Sequence, residues 1–166
     1  MKIPAYQEKT KEAPKADTYQ GVICGVFNVG FQWDLNHTKR TEKWLVAIEL
    51  DVRDSAGKRF VVCTKTFALS LHEKAFLPTL IKAALPEEAW LKAQSGELDT
   101  DDLIGRNVIV QTIVDNGGYA KIQGIVKSRD QSLKLETAED FVPPLVSYYR
   151  GLADNNLLAD NNLNDF

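Results

Sequence analysis

Few residues in this chain have the types and spacing that covalent chemistry needs. It has two histidines, His37 and His72, and two cysteines, Cys24 and Cys63, among 166 residues. His72-Glu73-Lys74-Ala75-Phe76 opens like a zinc-protease motif, but Phe76 stands where the second histidine would be. The cysteines are too far apart for a zinc pair and too few for a disulfide framework. Each lies in an apolar, strand-like run and reads as a buried, reduced thiol. Asp99, Asp101 and Asp102 could in principle hold a divalent cation for a nuclease reaction. With no histidine beside them, they read as solvated charges leading into a helix. No phosphate-binding loop, dinucleotide glycine fingerprint or nucleophile elbow occurs. The expectation is a protein that is not an enzyme and carries no cofactor or metal.

Binding a single nucleic-acid strand asks for less: cations spaced along the backbone and aromatic faces for the bases. Net charge is −3, so a generically basic binder is excluded. The signs are segregated, however. From His37 to Lys65 there are seven bases against four acids, and from Leu103 to Arg129 four bases against Asp115 alone. Between Glu87 and Asp102 six acids face Lys92. One basic face is therefore compatible with a near-neutral chain. Lys39, Arg40, Lys43, Arg59 and Lys65 form its first part, with Arg106, Lys121 and Lys127 as a second wall. Trp33, Phe60 and Tyr119 interleave with these bases as candidate stacking residues. Trp44 and Phe60 also suit core positions.

The elements that would position them are mostly strands. Residues 1–18 are polar and aperiodic, a loose arm. Tyr19–Phe31 is apolar and β-branched but broken by Gly21, Gly25 and Gly30, as a strand coiling round a small barrel would be. Lys43–Arg53 alternates, with Trp44, Val46, Ile48, Leu50 and Val52 on one face. Asp54-Ser55-Ala56-Gly57 reads as a tight turn into a strand at 58–67. If Asp54 faces Lys58, Phe60 meets Val52 and Val62 meets Leu50, leaving Arg59, Lys65, Phe67 and Lys43 on the outer face. Ser70-Leu71-His72-Glu73 looks like a capping box opening a helix with an apolar stripe from Leu71 to Ala84. Pro86 stops that helix and can begin a short second one. Arg106–Asp115 and Tyr119–Lys127 form a hairpin about Asn116-Gly117-Gly118, with Val108, Val110, Thr112 and Val114 facing Ala120, Ile122, Gly124 and Val126.

Three strands, a helix and two further strands over residues 19–127 predict a five-stranded OB-fold barrel, mainly β. Another small α+β barrel would give the same string. Pro143-Pro144 implies an extended strap over residues 128–151. Residues 152–166 repeat Leu-Ala-Asp-Asn-Asn-Leu in tandem and carry three acids and no base. They read as a disordered acidic tail with apolar anchors.

Two segments carry a resemblance: Thr66-Phe-Ala-Leu-Ser-Leu-His-Glu-Lys-Ala-Phe-Leu77, and Leu103–Val110 through Gly117–Ile122. With the acidic end they resemble the OB-fold single-stranded DNA-binding proteins of bacteria and their phage-encoded counterparts. The resemblance implies sequence-tolerant DNA binding in replication or recombination, in a bacterial host's cytoplasm. It also implies self-association into a homo-oligomer and recruitment of partner proteins by Asp160, Asp165 and the terminal Phe166. This tail has fewer acids than those proteins and no penultimate proline. The expected nucleic-acid-binding residues are Trp33, Lys39, Arg40, Lys43, Arg59, Phe60, Lys65, Arg106, Tyr119 and Lys121. The loops between the first and second and the fourth and fifth strands would flank the site. A second expectation, favoured by the near-neutral charge, is a protein-interaction adaptor on the same fold. No stretch approaches the roughly 20 apolar residues of a membrane helix.

Overall fold

A computed structural model describes residues 1–3 and 12–164, with side chains through 155. The elements in order are β1 (Thr18–Trp33), β2 (Arg40–Arg53), β3 (Arg59–Cys63), α1 (Phe76–Ala84), α2 (Glu88–Gln94), a 3₁₀ turn (Thr100–Leu103), β4 (Asn107–Val114), β5 (Ala120–Lys127) and α3 (Pro144–Asn164). The strands make one antiparallel sheet in the order β3-β2-β1-β4-β5. Among the described residues no helix is long and apolar enough to cross a membrane.

The sheet is mainly what the alternation predicted, but it does not close into a barrel. β3 and β5 are its edges and no ladder joins them. β3 runs for only five residues, and past it the chain touches β2 again through one bridge, Trp44 to Phe67. That leaves only a short edge, which β5 approaches without pairing, and α1 also packs beside β5. β1 holds the sheet together by pairing with β2 along most of its length and with β4 over Thr18–Val22. Its pairing with β2 slips between Ile23 and Gly25 and between Asn28 and Gly30, so it bends at two of the three glycines. Gly30 adopts φ +81°, which disfavours any side chain, and a Cβ there would lie 2.9 Å from Cβ of Ala153.

One apolar layer lies between the sheet and α1–α2, around Ile23, Val46, Ile48, Leu50, Leu80, Leu103, Val108 and Val110. The β2–β3 hairpin reaches it in a different register from the one the turn implied. Asp54 does face Lys58, but the ladder then shifts, so that Val62 sits opposite Ile48 rather than Leu50. A two-residue slip keeps every side chain on its own face, so the core is unaffected. On β5 the shift is one residue, between Gln111 and Thr112 of its partner, and it does swap faces. Ile125 is buried, while Val126, expected inside, is 58% exposed.

α1 begins at Phe76, not beside Ser70, and its first turn has no side-chain cap. Ser70 Oγ instead accepts a hydrogen bond from the His72 amide at 3.2 Å. Pro78 explains the delay. In a helix begun near Leu71 its ring would strike a carbonyl one turn back, whereas in the first turn its missing N–H costs nothing. The second short helix forms after Pro86, as expected. Asp99 and Asp102 cap the 3₁₀ turn reciprocally, Asp99 Oδ1 accepting from the Asp101 amide and Asp102 Oδ2 from the Asp99 amide.

The other face of the sheet is covered too. Alternation predicts that it is polar, yet Leu45, Ala47 and Glu49 are as buried as Val46 and Ile48. Their cover comes from residues 128–153. The expected strap is irregular only as far as Pro143; Pro144 opens α3, a position at which proline suits a helix. Val146, fully buried, packs with Val29 and Leu45, and Tyr149 lies against them. Ala153, the second residue of the expected tail, is 6% exposed. The expected tail contacts at Asp160, Asp165 and Phe166 lie outside the described side chains.

Two hydrogen-bonded anchors tie the strap down. The buried Asn107 side chain accepts from Gln20 Nε2 and the Leu133 amide and donates to the Leu133 carbonyl, each at 3.0 Å. Glu49, with no exposure, accepts from Arg59 Nη1 at 3.2 Å and from the amides of Glu136 (3.0 Å) and Thr137 (3.2 Å). Arg59 also donates to the Lys134 carbonyl at 2.7 Å.

The two thiols sit on this covered face on either side of Ala47, whose β-partners are Gly25 and Cys63. Both are free, as the sequence suggested, and Cys24 Sγ donates to the Ala47 carbonyl at 3.4 Å. Burial pushes the Cys24 thiol up to about 11, with nearby Glu49 adding to the shift, and pushes Cys63 up to about 12. Both therefore stay protonated near neutrality and should resist alkylation at pH 8 in the native protein but not in denaturant. A raised folded-state pKa contributes stability that is complete below the unfolded thiol's value near 9 and fades as pH rises through 11 to 12. The free energy of unfolding should fall by roughly 1.4 kcal/mol per pH unit per thiol from pH 9 until each folded-state value is passed. The Cys24→Ala, Cys63→Ala double variant should lose that part of the slope. Rapid labelling of both native thiols at pH 8 would contradict this.

Candidate nucleic-acid interface

The β1–β2 hairpin ends in a tip at Asp34–Lys39 that the Asp34 side chain organises. Its carboxylate accepts from the Thr38 amide at 2.7 Å and from the Thr38 hydroxyl, and these bonds hold it below the usual carboxylate range. His37 turns the chain with φ 53°. The fixed loop positions a cluster of rings and charge. The Trp33 indole lies 5.7 Å from the His37 ring, and the Arg40 guanidinium is 5.3 Å from its centroid. This is an ordinary cation–π distance.

Register decides what shares that surface. Trp33 pairs with Arg40 and Phe31 with Glu42, so Phe31, Trp33, Arg40, Glu42 and Trp44 project from one face. Trp44 packs against the core, where its strand position suggested, while Phe31 and Trp33 remain 49% and 37% exposed further out. Phe31 was not singled out from the sequence. Its signal was present in the two-residue spacing to Trp33, but the glycines left the strand's faces ambiguous until the bulges fixed them.

Lys43 pairs with Gly30 and projects from the opposite face, and Lys65 lies two residues past the end of β3. Lys39 and Lys65 are exposed and Lys43 half-buried, and among the described residues no carboxylate lies within ion-pair distance of the three. The indole and Lys43, expected on one surface, thus lie on the two faces of one hairpin, with Lys39 at its tip.

Two expected members, Arg59 and Phe60, are placed elsewhere, and so is Phe67. Arg59 does lie on the outer side of β3, but its side chain is 11% exposed and is bound to Glu49 and Glu136, so it anchors the strap rather than facing solvent. Phe60 packs against the main core. Phe67, expected outside, is 4% exposed inside it, because the chain loses one residue of alternation between Thr64 and Phe67.

Tyr119 and Lys121 lie toward the other end of β1. Thr18 pairs with Gln111 near the end of β4, whereas Trp33 closes the far end of β1. The two sites are therefore separated by most of a 16-residue strand, roughly 50 Å along its path. At that second tip Asp115 Oδ1 accepts from the amides of Gly117 and Tyr119, both at 2.9 Å, and Lys121 Nζ is 3.4 Å from Asp115 Oδ2. Tyr119 is 53% exposed, beside exposed Ile113 and Val114. Arg106 is exposed where the chain enters β4. Among the described residues no group of three or more His, Cys, Asp or Glu side chains could hold a metal ion.

No protein-family model matches the chain, and no curated protein matches it.

Proposed function

We propose that this protein binds single-stranded DNA, without catalysis and with little regard to sequence. The site is the β1–β2 hairpin. The carrying observation is the pair of exposed rings, Phe31 and Trp33, on one face, with the Arg40 guanidinium 5.3 Å from the indole. Rings spaced along a strand beside cations are what base stacking and backbone neutralisation require. A strand crossing the hairpin meets Lys39 at the tip, and one that wraps round it meets Lys43 on the other face. The order β3-β2-β1-β4-β5 with α1 between β3 and β4 agrees with a partly open OB-fold barrel, a fold that serves this purpose. In this reading the segment beyond Ala153, with Asp160, Asp165 and Phe166, recruits replication or recombination proteins of a phage or bacterial system, and the chain works as a homo-oligomer.

Anisotropy of a labelled oligothymidine of about 30 nucleotides tests this, with a duplex of equal length beside it. Affinity for the single strand should fall steeply between low and moderate salt as condensed counterions are released, and the duplex should bind weakly. Binding to neither above background would refute the proposal. It would favour the adaptor reading, which has its own support: the outer face of β1–β3 is filled by the chain's own residues 128–153. Phe141, Val142, Leu145 and Tyr148 of that segment are exposed.

A further inference from the structure

Away from the hairpin, one concave site combines an aromatic ring with cations. It is a cleft of about 380 Å³ between α1, α2 and the end of β5. Ile81, Leu85 and Pro86 form its apolar floor, and Trp90 of α2 stands at the side. Lys82, in the last turn of α1, places Nζ 4.6 Å from the indole centroid, which fixes its charge beside the ring. Lys127, the last residue of β5, brings a second ammonium group from a different element. Glu87 is the one acid on the lining, so the cleft carries net positive charge.

An apolar floor with an indole suits a flat ring, and two ammonium groups favour an occupant bearing negative charge. Because the cations come from separate elements, two phosphates match them better than one carboxylate. We infer that the cleft is a second subsite for the DNA strand, seating one base against Trp90 with its flanking phosphates on Lys82 and Lys127. This rests on the single-strand reading above and extends it to a surface remote from the expected loops.

The test uses the full chain labelled with 5-fluorotryptophan, whose three fluorine resonances, from Trp33, Trp44 and Trp90, are assigned with the Trp33→Phe and Trp90→Phe variants. On titration with an oligothymidine of about 30 nucleotides, the Trp90 resonance should move together with that of Trp33. Lys82→Gln and Lys127→Gln should each reduce the slope of log affinity against log salt by about 0.7, one phosphate's share. Trp90→Ala should weaken binding roughly tenfold. If the strand binds and shifts Trp33 while Trp90 and both slopes stay unchanged, the subsite is refuted and the hairpin site stands. If the oligonucleotide binds nowhere, both fall. If a synthetic peptide of residues 157–166 moves the Trp90 resonance and the oligonucleotide does not, the cleft is a peptide site and the inference is overturned.

Discussion

Glu49→Ala should be among the most damaging single changes in the protein, costing about 3–5 kcal/mol of stability. The carboxylate has no solvent exposure and serves three donors at once, Arg59 Nη1 and the amides of Glu136 and Thr137. Removing it leaves two amides unpaired beneath the strap and takes one of two carboxylates from a nearly buried guanidinium, which keeps Glu136 and the Lys134 carbonyl, and the penalty comes from the unpaired groups more than from the lost attraction. For a chain of this size the cost corresponds to a fall of roughly 10 °C in Tm. Glu49→Gln should cost less, since an amide oxygen still accepts from the backbone. The strap should loosen first, so Cys24 and Cys63 should become alkylatable at pH 8 under conditions where the sheet's circular dichroism is intact. A Glu49→Ala protein with unchanged Tm and protected thiols would show that the strap contributes little.

Trp33→Ala should weaken single-strand binding by about 10- to 100-fold, the range expected for one lost stacked base, and Phe31→Ala by a similar factor. Neither should lower Tm appreciably, since both rings are more than one-third exposed and touch only the hairpin's outer end. The long separation along β1 gives the comparison a second axis. An oligonucleotide short enough to cover one end should respond to Trp33→Ala and not to Tyr119→Ala, while a longer one should respond to both. Equal responses at every length would mean that the two tips meet in the complex, and unchanged affinity in Trp33→Ala would remove the hairpin from the site.

Most strand positions were legible because period-2 alternation and turn residues act locally. Asn116-Gly117-Gly118 specifies its hairpin by backbone conformation alone, and Asp54 closes onto Lys58 for the same reason. The helix start was misread through Pro78, whose effect depends on its distance from the first turn. Faces were misread wherever a ladder slipped by one residue, at Val126 and Phe67, because a bulge leaves no mark in the pattern of residue types. Phe31 was passed over for the same reason.

The sequence alone determined a mainly β chain of five strands interrupted by helices, two unlinked thiols in apolar runs and a near-neutral surface with segregated charge. These follow from residue types and short-range periodicity, which need no knowledge of distant partners. Only the tertiary structure decided which face of each strand is free. Glu49 and Arg59 read as surface charges until residues 134–137 come back over them, and Leu45 reads as an exposed position until Val146 covers it. Burial is a property of contacts about 75 to 100 residues apart along the chain, and nothing local in β2 or β3 announces them.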